Sequence, residues 1–239
     1  MLEWIVYIGV SFCGVYFIYL FLNGIGLIAS KTYGELSDSE GISVVIPFRN
    51  EKENLAPLLR SFEHLNYPRE KFEVLLVNDD STDGGEQIDL DEFKVPVRII
   101  NAVGAGKKMA LTTGIAQAKF ELIAQTDADC EVPAYWLNSI CAGLRNHEFF
   151  GGPVVFSDSA VQNLELYSYL GLGAASAKMN APMVANGANL SFRKSSFQEV
   201  GGYTKNQRTS SGDDVFLLGS FHKAKKKIGI TLNQSMLVQ

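Results

Sequence analysis

From Trp4 to Ser30 the chain carries no charged side chain, and apolar residues recur on every helical face. About 20 apolar residues in a helix cross a bilayer core, and Trp4, Tyr7 and the aromatics that follow suit its interfaces. The leading end has Glu3 and no Lys or Arg, whereas a cleaved signal peptide opens on basic residues and has a shorter apolar stretch. A core helix of a soluble domain would keep a polar stripe. The expected element is an uncleaved transmembrane anchor over residues 1–30, followed by a polar linker over residues 31–41. Lys31 follows the apolar stretch and no basic residue precedes it. That bias places the rest of the chain on the cytoplasmic side of the cell membrane, in a single-pass protein or part of a multi-pass one.

Beyond the linker the period changes. "ISVVIP", Ile42 to Pro47, is continuous, β-branched and bounded by Gly41 and Pro47, the pattern of a buried strand. Leu55, Leu58, Leu59 and Phe62 then recur at helical spacing. "FEVLLVNDDSTD", "VPVRIINA", "KFELIAQTDAD" and "FFGGPVVF" read as further strands, with "GKKMALTTGIAQA" and "VPAYWLNSICAGLRN" as helices among them. Such alternation predicts parallel βαβ units in an α/β fold, Rossmann-like, with a mixed, mostly parallel sheet flanked by helices. The second half opens on a long helical pattern, "DSAVQNLELYSYLGLGAASAKM". "ANGANLSFRKSSFQEVGGY" follows as a small-residue turn, a short strand, a capped helix and a Gly-Gly stop. "SSGDDVFLLGSFHKA" begins a helix at Asp213 and Asp214.

In parallel sheets ligands sit outside the carboxyl ends of the strands, and the polar residues of this chain fall there. Pro47, Arg49, Asn50 and Glu51 follow the first strand; Asn78, Asp79, Asp80, Ser81 and Asp83 the second. Gly104, Gly106, Lys107 and Lys108 stand at the mouth of the next helix, and Asp127 and Asp129 after the fourth strand. In an extended segment the i, i+2 spacing puts both aspartates on one side. Mg²⁺ takes one or two carboxylates and completes its shell with phosphates and water, so the pair fits a metal holding a diphosphate. "GAGKK" offers flexible backbone, two ammonium groups and a helix N-terminus, all suited to an anion. Lysines oppose the dipole at that end, a local conflict that a ligand would explain. No phosphate-loop or dinucleotide fingerprint is present. Asp213 and Asp214 suit N-capping, or general-base work beside a sugar acceptor.

The 239 residues, 46% of them hydrophobic, suffice for one well-cored domain. A net charge of −5 provides no clustered basic surface for nucleic acid. The cluster Lys223 to Lys227 reads as the solvated end of a helix, with anionic lipid heads as an alternative contact at a membrane. Cys13, Cys130 and Cys141 lack metal-ligand spacing and suit a reducing compartment as free thiols. Cys130 has no histidine near it in sequence and is expected to be passive. His64, His147 and His222 are scattered, as surface histidines are.

The ordered set "VVIPFRNE", "VNDDSTD", "GKKMAL", "TDAD", "NGANLSFRKSSFQEVGGY" and "SGDDVFLL" resembles the family 2 glycosyltransferases, which have the GT-A fold. The resemblance runs from about Ile42 to Ile230. It implies a nucleotide-sugar-binding half over residues 42–130 and an acceptor-side half over residues 131–239. It implies that Pro47, Arg49, Glu51 and Asp79 hold the nucleotide, with Asp79 facing the base. Asn78 and Asp80 flank Asp79, so that position could slip by one. By the same resemblance Lys107 lies near the diphosphate, and Asp127 and Asp129 bind Mg²⁺ or Mn²⁺, Asp129 more directly. The resemblance further implies that Asp214 is the catalytic base with Asp213 its acidic neighbour, and that Asn186, Gly187, Ala188 and Asn189 form the acceptor-side turn. The implied activity is inverting, metal-dependent transfer from a nucleotide-diphosphate sugar, a UDP-sugar for preference, to a lipid or saccharide acceptor at the membrane.

Membrane-bound members often carry a Gln-x-x-Arg-Trp segment and further membrane spans. The chain ends "ITLNQSMLVQ" with neither, and its tryptophans are Trp4 and Trp136. Either the chain is a fragment or the acceptor site is completed otherwise. A non-catalytic nucleotide-sugar-binding membrane module is one alternative reading. A nucleotidyltransferase is another, although "PFRNEKEN" lacks the glycine-rich loop it would need.

Overall fold

The computed structural model describes residues 2–29, 39–156, 160–203 and 212–239. Seven strands form one sheet in the order β3-β2-β1-β4-β6-β5-β7. They are β1 (Ile42–Phe48), β2 (Phe72–Asn78), β3 (Val97–Asn101), β4 (Leu122–Gln125), β5 (Phe149–Gly151), β6 (Leu190–Arg193) and β7 (Ile228–Ile230). The helices are α1 (Leu2–Ala29), α2 (Lys52–Glu63), α3 (Lys107–Gln117), α4 (Trp136–Asn146), α5 (Ala160–Lys178), α6 (Lys194–Glu199) and α7 (Asp213–Lys223).

Strand β1 lies at the centre and is buried along its whole length. Val44 and Ile46 face one apolar layer, with Leu55, Leu58 and Leu59 of α2 and Trp136 and Ile140 of α4. Val45 faces another, with Ala110, Leu111 and Ile115 of α3 and Leu217 and Phe221 of α7. A strand covered on both faces needs apolar side chains at every position, which is why the run is continuous rather than alternating. Pro47 lies past the last residue paired to β4, Val45 with Gln125, so its missing N–H costs no ladder bond on that side.

The sheet is mixed and mostly parallel, as expected. β1 runs parallel to β2 and β4, β2 to β3, and β5 to β7. β6 is antiparallel to both β4 and β5 and lies between them. Two strands are shorter than their apolar patterns suggested. β5 stops at Gly151, and Val154 makes only an isolated bridge to Val238. β4 stops at Gln125, so Asp127 and Asp129 occupy the turn after the strand, not an extended segment. The extended-strand argument for their common side therefore fails, and their meeting depends on the turn.

Helix α1 extends over 28 residues and packs along α5. Among the described residues no helix is long and apolar enough to cross a membrane. The anchor expected over residues 1–30 is therefore not shown among the described residues. The expected linker lies outside the described residues up to residue 38.

Gly114 sets the approach of α3 to the sheet. A Cβ there would sit 2.4 Å from Val45 Cγ1 and 2.8 Å from Val77 Cγ2. Gly219 on α7 has nothing within 4 Å of its added carbon. Alanine normally stabilises a helix interior by about 0.5–1 kcal/mol over glycine, but overpacking costs about 1–3 kcal/mol. Gly114→Ala is therefore expected to lower stability and Gly219→Ala to raise it, read from denaturant midpoints at constant m-value.

Candidate active site

The polar ends of β1, β2 and β4 and the start of α3 meet at one rim. Pro47, Phe48, Arg49, Glu51, Asp79, Lys107, Asp127, Ala128 and Asp129 line one cleft of about 230 Å³. The loops that form it are tied to one another. Asn50, in a left-handed conformation at φ 58°, donates its N–H to Ser81 Oγ at 3.1 Å and accepts from the Thr82 N–H at 2.7 Å. Asp83 accepts from the N–H of Lys52 at 2.8 Å and of Gly85 at 2.9 Å, and these two donors hold its carboxyl below the usual carboxylate range. The first orphan N–H of α2 is thus satisfied from the neighbouring loop rather than by its own N-cap residue.

Asp79 is buried at 6% exposure. Its backbone N–H donates to the Phe48 carbonyl at 2.9 Å, and its Oδ1 accepts from the Gly106 N–H at 2.7 Å. Gly106 has φ +96°, a backbone state that glycine adopts freely. Asn78 turns its amide to Asn101 and accepts from the Ser81 N–H, away from the cleft lining. Of these neighbours, Asp79 is the one on the cleft.

Lys107 Nζ lies 2.6 Å from Asp127 Oδ1. Burial works against its charge, but Asp127 first, then Asp213 and Asp214, outweigh that and hold the ammonium above the usual lysine range. Lys108 places its ammonium 6.0 Å from the ring centre of Phe216, bringing α3 and α7 together. Asp129 is exposed on the cleft, and the Cys130 thiol beside it is pushed up to about 12 by burial and by the Asp129 and Asp127 charges. A thiol held protonated is a poor nucleophile, in keeping with a passive Cys130.

Asp213 and Asp214 form the first turn of α7, after Gly212 at φ +78°. Asp214 is half-buried; its Oδ1 accepts from the Val215 N–H at 2.7 Å and its Oδ2 from the Gly187 N–H at 3.1 Å. Burial raises its carboxyl above the ordinary value, Asp213 adds to this, and the two N–H donors and Lys107 pull the other way. Asn186 caps the turn that follows it, accepting from the Ala188 N–H at 3.0 Å. Asn189 is fully buried and uses its side chain internally. It accepts from Trp136 Nε1 at 3.0 Å and donates to the carbonyls of Pro153 and Met236 at 2.7 and 2.5 Å. Its position is that of a core tie, away from the cleft.

Asp127 and Asp129 do not make a complete cage: among the described residues no group of three or more His, Cys, Asp or Glu side chains could hold a metal. Two carboxylates on an open cleft do fit an ion whose remaining ligands are phosphate oxygens and water. Sequence reasoning missed Phe48 and Ala128 in the lining, both apolar and without a chemical signature.

A Rossmann-like sheet with this rim defines the GT-A class of glycosyltransferase folds. A mannosyltransferase from Pyrobaculum calidifontis, solved with GDP-Man and Mn²⁺, superposes with a TM-score of 0.69 at 20% identity, over 96% of this chain and 66% of its own. S. aureus TarS in complex with UDP-GlcNAc gives 0.64 at 17% identity, over 82% of this chain and 57% of its own. The model of glycosyl transferase family 2 matches residues 43–210, and the chain belongs to that family. Glycosyltransferase AglE of Haloferax volcanii is 28% identical over 184 residues. The poly-beta-1,6-N-acetyl-D-glucosamine synthase of Staphylococcus epidermidis is 29% identical over 176 residues. The matches cover 72% and 68% of this chain, and 58% and 42% of the lengths of those relatives.

The site makes an electrostatic prediction independent of activity. Followed by carboxyl ¹³C NMR, Asp214 is expected to titrate above the ordinary carboxylate range. In Lys107→Met it is expected to titrate higher still, because the cation that favours its ionised form is gone.

Proposed function

We propose that the chain is an inverting, metal-dependent glycosyltransferase that moves a sugar from a nucleotide-diphosphate sugar to a hydroxyl of a lipid or saccharide acceptor at a membrane. One observation carries the reading: Asp79, Lys107, Asp127 and Asp129 line one cleft, and Asp213 and Asp214 are near enough to raise the proton affinity of Lys107. The nucleotide complexes of the two superposed enzymes support a diphosphate donor, and the Mn²⁺ of one supports a divalent ion. A UDP-sugar is the preferred donor, by the resemblance of Asp79 to the position that faces uracil in the family.

The residues divide the work. Pro47, Arg49, Glu51 and Asp79 hold the nucleoside, with Asp79 already anchored through Gly106. Lys107 places a positive charge where the diphosphate would lie. Asp129 and Asp127 would hold Mg²⁺ or Mn²⁺, which when bound offsets negative charge on the departing diphosphate. Asp214 receives the acceptor hydroxyl proton; burial raises its proton affinity toward that task. Attack from the face opposite the leaving group inverts the anomeric carbon without a carboxylate nucleophile. Asn186 and Gly187 flank the base on the acceptor side.

Binding of UDP to the full chain, measured by calorimetry, is expected to strengthen with Mn²⁺ and to lose that metal dependence in Asp129→Ala. Asp214→Asn is expected to keep UDP affinity while turnover drops about 10²–10⁴-fold. UDP binding indifferent to both the ion and Asp129 would remove the metal role.

Helix α1 is assigned as the membrane anchor, with the catalytic part on the cytoplasmic face. Support comes from its outward apolar side chains, among them Trp4, Phe12, Phe17 and Phe21. The full chain is expected to stay with membranes after carbonate washing, and a chain of residues 39–239 to remain in the supernatant. Recovery of both in the supernatant would refute the anchor.

A further inference from the structure

We propose that Gln125 and Tyr203 are positioning residues that hold the base Asp214 in register with the segment carrying Asp127 and Asp129. The inference rests on the reading of Asp214 as the base. Gln125 is the last residue of β4 and is 1% exposed. Its Nε2 donates to the Gly187 carbonyl at 2.9 Å, and its Oε1 accepts from the Tyr203 hydroxyl at 2.9 Å. Gly187 then donates its own N–H to Asp214 Oδ2 at 3.1 Å. Tyr203, Gln125, Gly187 and Asp214 therefore form one continuous chain of hydrogen bonds.

The orientation of the amide is determined by its partners. A carbonyl can only accept, so the Gln125 nitrogen must face Gly187, and the oxygen is left for the hydroxyl. The surroundings give the amide no other use. Its strand neighbours Ile123 and Ala124 are fully buried, Tyr203 is buried, and the pairing partner Leu190 is apolar. A buried polar group without partners is costly, so a side chain of this type in this place implies that its bonds are made and kept. An apolar residue would fill the strand end without the risk. What the glutamine adds is a grip on the turn that aims Asp214, from a strand position two residues before Asp127.

Gly187 lies between the two ends of this chain, in ordinary van der Waals contact with both. A Cβ on it would lie 3.5 Å from Gln125 Nε2 and 3.9 Å from Asp214 Oδ2. Among the described residues, the charged and titratable groups that act on Asp214 include Asp213 on its own helix, Lys107 on α3, Tyr169 on α5 and Tyr203. None of them is bonded to the Gly187 N–H, so that donor reports on the turn alone.

The test uses the full chain, with Gln125→Leu, Tyr203→Phe and, as a matched core control in the same strand, Ile123→Val. Two readouts are taken: the Asp214 titration by carboxyl ¹³C NMR, and steady-state turnover of UDP-N-acetylglucosamine with Mn²⁺. Loosening the turn withdraws a donor that favours the ionised carboxylate, so Asp214 is expected to titrate about half a unit to one unit higher in Gln125→Leu. A smaller shift in the same direction is expected in Tyr203→Phe, and none in Ile123→Val. Turnover is expected to fall about tenfold or more in Gln125→Leu with the donor KM unchanged. If Gln125→Leu does not fold, Tyr203→Phe, which removes one oxygen, decides the matter by the same readouts. An unmoved Asp214 titration in the folded variants, or an equal shift in Ile123→Val, would overturn the proposal. The expected shift in Gln125→Leu, together with a wild-type chain that turns over none of a panel of UDP-, GDP- and dTDP-sugars with Mn²⁺, would leave the hydrogen-bond chain standing and refute the transferase reading instead.

Discussion

The site is organised around one ammonium group. Lys107 stands at the start of α3 and reaches Asp127 at 2.6 Å, with Asp213 and Asp214 close enough to act on its charge. Asp79 and Asp129 line the same cleft. Carboxylates gathered at one place repel one another and lose water as they approach, so such a rim holds together only if positive charge stands among them. The sheet supplies the meeting place; Lys107 makes the meeting tolerable. Its helix is set close on β1 and β2 by Gly114, and its loop is fastened to Asp79 through Gly106. Backbone geometry, packing and charge thus converge on a single side chain.

The core elements were legible because their sequences leave little choice. β1, β2 and the apolar part of β4 are buried nearly throughout, and a strand covered on both faces reads as an unbroken apolar run. α2 buries Leu55, Leu58, Leu59 and Phe62 at helical spacing. Strand ends were less legible. β4 stops before its acidic residues and β5 before its Gly-Pro step, because pairing with β6 ends there and no local pattern records a partner's length. The place of β6 between β4 and β5, antiparallel to both, is likewise a property of distant pairing.

The rim was readable as polar residues interrupting apolar strands, and the cleft gathers Pro47, Arg49, Glu51, Asp79, Lys107, Asp127 and Asp129. Two features needed coordinates. Asn78 and Asp79 differ in sequence by almost nothing, yet one side chain turns along the sheet and the other into the cleft. Asn189 sits in the same motif as Asn186 and Gly187 but is enclosed by Trp136, Pro153 and Met236. A motif lists neighbours along the chain; whether each faces ligand or core is decided by the turn between them.

The last residues lie against the cleft's own margin. Gln239 exchanges both backbone hydrogen bonds with Glu131, at 2.7 and 3.0 Å, and Val238 bonds to Pro153 and Val155. Glu131 is two positions along from Asp129. Any peptide joined beyond Gln239, whether a purification handle or further natural sequence, sets out near Asp127 and Asp129, so its first few residues share their electrostatic neighbourhood.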